Sequence, residues 1–268
     1  MKTISTPRRN RQHIETLFAR NKTKILSIYI PAGYPEIDSL PGILQVLEEN
    51  GVDMVEIGIP FSDPLADGPV IQACHSRALA NGMSLDLLFE QLDSVRVRIP
   101  LLLMGYYNSV LQFGVDRFCR CCVETGISGV IIPDLPIELY VSAYQDTFRQ
   151  HNVCCVFMIT PQTSDARIRS IDAVSTGFLY AVSSASTTGM LHAKISHPYL
   201  QRLSAMGLRN PVMTGFNIHD NTTFRQATEF SRGAIIGSAF LRSIAESTNQ
   251  SETIRTFINN IKHHDHSA

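Results

Sequence analysis

An α/β architecture, a single (β/α)8 TIM barrel with an extra N-terminal helix, follows from three features of the sequence. Eight short apolar, largely β-branched runs recur along the chain, each followed by an amphipathic stretch. Near-continuous apolar strands separated by helical patterns mark a parallel sheet buried on both faces. The length, 268 residues, suits one barrel of roughly 250 residues. The first run leads into Pro31-Ala32-Gly33-Tyr34-Pro35 with no G-x-G-x-x-G, which disfavours an open doubly wound sheet with a phosphate loop at that point.

The elements follow in order. Residues 1–22 form an N-terminal extension with a short surface helix from Arg11 to Arg20; its early arginines have no apolar stretch behind them, so it is not a secretory signal. Strands are predicted at 24–30, 52–59, 100–106, 129–134, 153–159, 177–182, 211–216 and 233–237. Between them, 39–50 carries apolar residues at helical spacing, and 84–95 opens on Ser84, a natural N-cap. The helix over 114–126 ends on Gly126, as helices often do. Further helices are predicted over 137–151, 165–174, 197–206, 220–230 and 238–247. No Ser/Gly linker or shift in composition interrupts the series, so residues 1–268 read as one barrel domain, with 263–268 a frayed, His-rich tail.

Composition narrows the function classes. The chain is 44% hydrophobic and 18% charged, which supports a sizeable core and excludes a largely disordered protein. Lys plus Arg is 23 against 24 for Asp plus Glu, a balance that supports neither nucleic-acid binding nor attachment to a membrane surface. No apolar run approaches the roughly 18 residues of a membrane helix. The six cysteines include the adjacent pairs Cys121-Cys122 and Cys154-Cys155, which fit neither a disulfide ladder nor a zinc spacing. Buried thiols in a reducing cytoplasm are the expectation.

Barrel enzymes place their chemistry at the C-terminal ends of the strands. Glu56 lies inside the second strand run, on the face it shares with Met54 and opposite Val55 and Ile57. A carboxyl there either faces a polar cavity, with a raised pKa suited to acid/base work, or is a paired core Glu. The Pro- and Gly-rich loop after it adds Asp63 and Asp67; either residue also serves as a turn or helix cap, Asp67 ahead of the helical pattern 68–79. Gly215, Gly237 and Ser238 sit at the last two strand ends, where barrels often bind phosphate, although turn glycines account for each singly. Tyr180 on the sixth strand either faces the barrel interior or packs in the core, and the small polar loop 183–189 after it suits a closing lid. None of the five lysines lies at a strand's C-terminal end, which disfavours a Schiff base; Lys194, in a loop, is the weak exception. The histidines do not cluster at strand ends, so no metal site is evident. Carboxylate-driven acid/base chemistry on a phosphorylated substrate remains.

The run Val55-Glu56-Ile57-Gly58-Ile59-Pro60-Phe61-Ser62-Asp63-Pro64-Leu65-Ala66-Asp67-Gly68-Pro69-Val70-Ile71-Gln72 resembles the signature LELG-x-PFSDP-x-ADGP-x-IQ of the tryptophan synthase alpha subunit family. MGYYN (104–108), GVIIPDLP (129–136), the strand with Tyr180, TGFNI (214–218) and IGSAF (236–240) extend the resemblance over nearly the whole chain. It implies the same barrel. It also implies cleavage of indole-3-glycerol phosphate to indole and glyceraldehyde 3-phosphate, a retro-aldol step in tryptophan biosynthesis. By the same resemblance Glu56 is the acid/base and Asp67 accepts the indole N–H. Tyr180, Thr188, Gly189, Tyr106, Tyr29, Leu103 and Ile71 are implied to meet the substrate, with Asp134 a further pocket position. Gly215, Asn217, Gly237 and Ser238 are implied to cradle the phosphate. No cofactor is expected in this chain; pyridoxal phosphate belongs to a beta subunit, implied as the partner in an α2β2 assembly.

Three stretches depart from the family pattern. Residues 183–189 read S-S-A-S-T-T-G where the family has S-R-x-G-V-T-G, so the Arg and the first Gly are missing. Asn217 replaces the last Gly of GFG, and Tyr34 stands where the family has Asp in T-A-G-D-P. Asn is the non-Gly residue best suited to a left-handed backbone. Two activities are compatible with these changes: a working lyase, or a weakened alpha subunit that acts mainly as an allosteric activator of beta.

Overall fold

Eight parallel strands close into a barrel in the computed structural model, in which residues 11–20, 23–182, 196–245 and 247–263 are described. The order is α1 (Arg11–Ala19), β1 (Ile25–Pro31), α2 (Ser39–Glu49), β2 (Met54–Gly58), α3 (Pro69–Ala80), α4 (Leu85–Ser94), β3 (Leu101–Met104), α5 (Tyr107–Phe113), α6 (Val115–Thr125) and β4 (Gly129–Ile131). There follow α7 (Ile137–Leu139), a π-helical turn (Tyr140–Tyr144), α8 (Gln145–Gln150), β5 (Cys154–Ile159), α9 (Asp165–Val174) and β6 (Leu179–Val182). The chain ends with α10 (His197–Ala205), β7 (Val212–Gly215), α11 (Asn221–Thr228), β8 (Gly233–Ile236), α12 (Ser238–Ile244) and α13 (Gln250–Lys262). Each strand pairs in parallel with the next in sequence, and β8 returns to β1 through Ile25↔Gly233 and Ser27↔Ile235.

Strand alternation divides the core in two. Met54, Leu102, Ile131, Val156, Phe178, Tyr180, Met213 and Ile235 fill the barrel interior. Val55, Ile57, Leu101, Leu103 and Val130 point the other way, into the larger core between strands and helices. The register places Glu56 beside Tyr29 of β1 and Leu102 of β3, on the interior face. Local signals set several helix ends: the Ser84 hydroxyl accepts the Leu87 N–H at 3.2 Å, and Gly126 closes α6 with φ 75°.

Two expectations change. The N-terminal helix exposes Glu15, Thr16, Ala19 and Arg20, as a surface helix does, but its other face is part of the core. Ile14 and Phe18, one turn apart, are buried and cover the N-terminal end of the barrel, with Phe18 6.0 Å from Phe178 between ring centres. The Arg232 guanidinium donates to the Phe18 carbonyl at 2.8 Å and ties the helix end down. The helix over 137–151 is also interrupted by the π turn. An α-helix would rotate Phe148 about 80° away from Tyr140; the wider turn brings both inward, 5.5 Å apart, with Tyr140 also 5.1 Å from Phe157. Helices α5 and α13 have no counterpart among the elements predicted from sequence. In α13 the signal was present: Ile254, Ile258 and Ile261 are buried on one face, and Asn249 caps the helix.

Candidate active site

The C-terminal mouth of the barrel gathers two carboxyl groups within a ring of tyrosines. Glu56 is fully buried; its Oε1 accepts from the Ser27 hydroxyl at 3.3 Å. Its Oε2 is buried with no hydrogen-bond partner among the described residues. Burial pushes the Glu56 carboxyl up to about 8, against the smaller lowering effect of Ser27. A buried, half-satisfied carboxyl is costly in a core and useful in a site, because a ligand completes its hydrogen bonding.

Asp67 does not cap α3. Gly68 occupies the N-cap position and makes no side-chain cap bond. Asp67 Oδ2 instead accepts the Tyr106 hydroxyl at 2.9 Å, and the same hydroxyl accepts the Ala66 N–H at 3.0 Å. Phe61 stacks on Tyr106 with ring centres 5.0 Å apart, so the loop of residues 59–68 is buttressed from β3. Burial raises the Asp67 carboxyl to about 6, and the Tyr106 hydrogen bond limits the rise. The two carboxyls are thus held at different acidities by their surroundings, the pattern that separates an acid from a charge stabiliser. These shifts favour a protonated Glu56 beside an ionised Asp67 near neutral pH. Asp63 lies on the exposed side of the same loop, accepting from the Ser62 hydroxyl at 2.5 Å.

Tyr29 and Tyr180 are buried in the mouth, and their hydroxyl acidity is lowered by burial first and by the nearby Glu56 and Asp67 charges. Each ring lies over a glycine of the next strand. A Cβ on Gly58 would come 2.3 Å from the Tyr29 hydroxyl, and one on Gly215 would come 2.2 Å from that of Tyr180. Gly215 is therefore required by Tyr180 packing, a reason different from the phosphate approach expected of it. Gly237 has more room: its Cβ would sit 3.4 Å from Tyr29 and 3.7 Å from Ile71, so packing does not demand a glycine there. Gly237 is the N-cap of α12 and Ser238 its first residue. Asn217 adopts φ 58°, as its identity suggests, and Phe216 before it adopts φ 76°, which costs a bulky residue of order 1–3 kcal/mol. Phe216 packs edge-on to Tyr180, ring centres 6.1 Å apart.

Other expected positions fall outside this cluster. Leu103 faces the helices, alongside Ile57 and Val130, and does not enter the barrel. Its neighbours Leu102 and Met104 occupy the interior face, as counting alternation from Glu56 across the paired strands would have shown. Asp134 accepts the Tyr107 N–H at 2.8 Å at the start of α5. Thr188, Gly189 and Lys194 lie outside the described residues, as do His264 and His266. Among the described residues, no three His, Cys, Asp or Glu side chains come together as a metal-binding group, and no helix is long and apolar enough to cross a membrane.

The family model for the tryptophan synthase alpha chain matches residues 15–267. The chain belongs to the tryptophan synthase alpha chain family. The alpha chain of Flavobacterium psychrophilum is 54% identical over 242 residues, 89% of this chain and 95% of that one. Among solved structures, the alpha subunit of Legionella pneumophila superposes with a TM-score of 0.83 at 31% identity, covering 94% of this chain and 97% of that one. The A-subunit of Pyrococcus furiosus gives 0.81 at 32% identity, covering 90% and 98%. Membership makes this chain a lyase of tryptophan biosynthesis and accounts for the barrel.

Within this alpha-chain barrel, the tyrosine–glycine pairs make a stability prediction. Gly215→Ala forces the Tyr180 ring out of its position, with an expected loss of about 1–3 kcal/mol from overpacking. Urea unfolding of the variant checks it, and an unchanged midpoint would show that Tyr180 is free to move. One further residue of the site has no signal in the sequence. His75 of α3 is 2% exposed and lies in the ring around Asp67. A lone histidine in a helical pattern carries no signal of that kind; only the closure of α3 against β1 brings it there.

Proposed function

We propose that this chain cleaves indole-3-glycerol phosphate to indole and glyceraldehyde 3-phosphate, with Glu56 and Asp67 as its reacting carboxyl groups. The observation that carries the proposal is the pair of carboxyls at one barrel mouth, Glu56 buried and Asp67 partly buried, raised to about 8 and about 6. The carbon–carbon bond breaks only when indole can leave as a neutral molecule. Protonated Glu56 gives its proton to indole C3, which places positive charge near the ring nitrogen. Ionised Asp67 accepts the indole N–H and stabilises that charge in a water-poor site. Glu56, now a carboxylate, takes the proton from the side-chain hydroxyl. The electron pair of the breaking bond returns to the ring, so indole and the aldehyde leave together and Glu56 is protonated again. Proton transfer of this kind contributes typically 10²–10⁴-fold.

Tyr29, Tyr106, Tyr180 and Ile71 bound the space for the indole and its side chain, and Gly215, Asn217, Gly237 and Ser238 offer backbone to the phosphate at the ends of β7 and β8. Thr188 and Gly189 complete the site in this reading. No cofactor is assigned to this chain. The partner is a beta subunit in an α2β2 assembly, which would carry pyridoxal phosphate. The six cysteines are all free thiols, in keeping with a cytoplasmic enzyme.

The test is indole release from indole-3-glycerol phosphate by the purified chain, alone and with saturating beta subunit. Slow release alone, rising many-fold with beta, is the expected result. No release in either case, with beta still activated, would replace the lyase with the activator alternative.

A further inference from the structure

His75 reaches the mouth of the barrel from helix α3 and makes two contacts that fix its proton. The Phe61 backbone N–H donates to His75 Nδ1 at 3.3 Å. A backbone N–H can only donate, so Nδ1 is the bare nitrogen and the neutral ring carries its proton on Nε2. Nε2 lies 3.1 Å from the Tyr29 hydroxyl and 3.7 Å from Asp67 Oδ2. The Nε2–H therefore donates to the Tyr29 oxygen, and the hydroxyl's own proton is turned to another acceptor. That leaves the Tyr29 proton free for a ligand in the barrel mouth, beside Asp67, whose Oδ2 is 3.7 Å from the same Nε2.

We propose that His75 is a positioning residue of this site, which occupies the Tyr29 oxygen as donor and so presents the Tyr29 proton to a ligand in the barrel mouth beside Asp67. The inference rests on the lyase reading above and adds a residue to it. The group that touches the reacting molecule is Tyr29; His75 acts through it. Two features make the arrangement rigid. Phe61 is itself stacked on Tyr106, which holds Asp67, so the acceptor, the loop and the imidazole are one hydrogen-bonded unit. The Tyr29 ring is seated over Gly58, where any Cβ would collide with its hydroxyl. Second, the imidazole is not half of an ion pair. Burial holds His75 down to about 4 and Asp67 up to about 6, so the ring loses its proton before the carboxyl ionises. The titratable groups facing this unit are Tyr29 from β1, Glu56 from β2, Asp67 from the loop, Cys74 from α3 itself, Tyr106 and, behind it, Asp134 from the β3 and β4 ends, and Tyr180 from β6.

The test combines one measurement on the unaltered chain with a mutant cycle. Imidazole ¹⁵N shifts of the wild-type protein between pH 5 and pH 9 should show His75 neutral, with its proton on Nε2 throughout. A proton on Nδ1, or a charged ring at pH 6, overturns the proposal without any variant. In the cycle, His75→Leu is expected to lower kcat about ten-fold, the scale of one lost hydrogen bond, with KM within about two-fold. His75→Gln, which restores an N–H donor, should recover most of that loss. Tyr29→Phe should lose about as much as His75→Leu, and the double variant no more than either, because both remove one interaction. Losses that multiply in the double variant would mean that His75 does not act through Tyr29. If His75→Leu fails to fold, the His75→Gln and Tyr29→Phe pair and the ¹⁵N shifts decide the matter. A wild-type chain that releases no indole would instead remove the lyase reading, an outcome visible before any variant is compared.

Discussion

Glu56→Gln is expected to lower indole release by about 10²–10⁴-fold and, at the same time, to make the protein more stable in alkaline solution. The two effects have one cause. Glu56 sits at zero exposure with one oxygen unpaired, and burial lifts its carboxyl from 4.5 to about 8. The folded state holds this proton more tightly than the unfolded state does. Stability is therefore highest below about pH 4.5 and falls as pH rises towards about 8, where the folded protein must also ionise the group. At 1.36 kcal/mol per unit of pKa shift, the cost at pH 8.5 is on the order of 3–5 kcal/mol. Gln keeps the shape and never ionises. Urea unfolding should show the variant more stable by that amount at pH 8.5, and by less than about 1 kcal/mol at pH 5. Equal stability at both pH values would mean that Glu56 is not a desolvated acid, and near-normal turnover would remove its acid/base role.

Asp67→Asn is expected to cost about 10²–10³ in kcat, the scale of losing one preorganised charge stabiliser. Asn keeps an acceptor for Tyr106, so the loop should hold its geometry while the negative charge beside the indole nitrogen is gone. The pH profile separates the two carboxyls. For the wild type, kcat/KM should rise as Asp67 ionises through about 6 and fall as Glu56 ionises through about 8. The residual activity of Asp67→Asn should lose the acid limb and keep the alkaline one. A variant within about three-fold of wild type, or one that keeps both limbs, would assign the charge stabilisation to another group.

Much of this molecule is legible in its sequence, for a physical reason. A parallel sheet buried on both faces must be built from near-continuous apolar runs, and helices covering it must carry apolar stripes, so all eight strands can be placed to within two residues at each start and three at each end. Glu56 is conspicuous because a carboxyl in such a run violates the pattern, and violations concentrate where function is carried. Its face follows from Met54 two residues before it. The same rule, applied across the barrel, would have excluded Leu103 and admitted Met104.

What the sequence by itself determined is the set of local choices: strand or helix, inward or outward, cap or turn. Those depend on neighbours within about one turn or one pleat. The tertiary structure decided everything that depends on which distant residues meet. Asp67 reads as a helix cap until Tyr106, 39 residues away, takes its carboxylate. Gly215 reads as a phosphate glycine, and only the fold adds that Tyr180 needs the space beside it. The N-terminal helix reads as surface, and only the open end of the barrel supplies a place for its Ile14 and Phe18. His75 acquires a role only where α3 closes on β1. The acidities of Glu56 and Asp67 belong to this second group, because desolvation is a property of the closed barrel and of no residue alone.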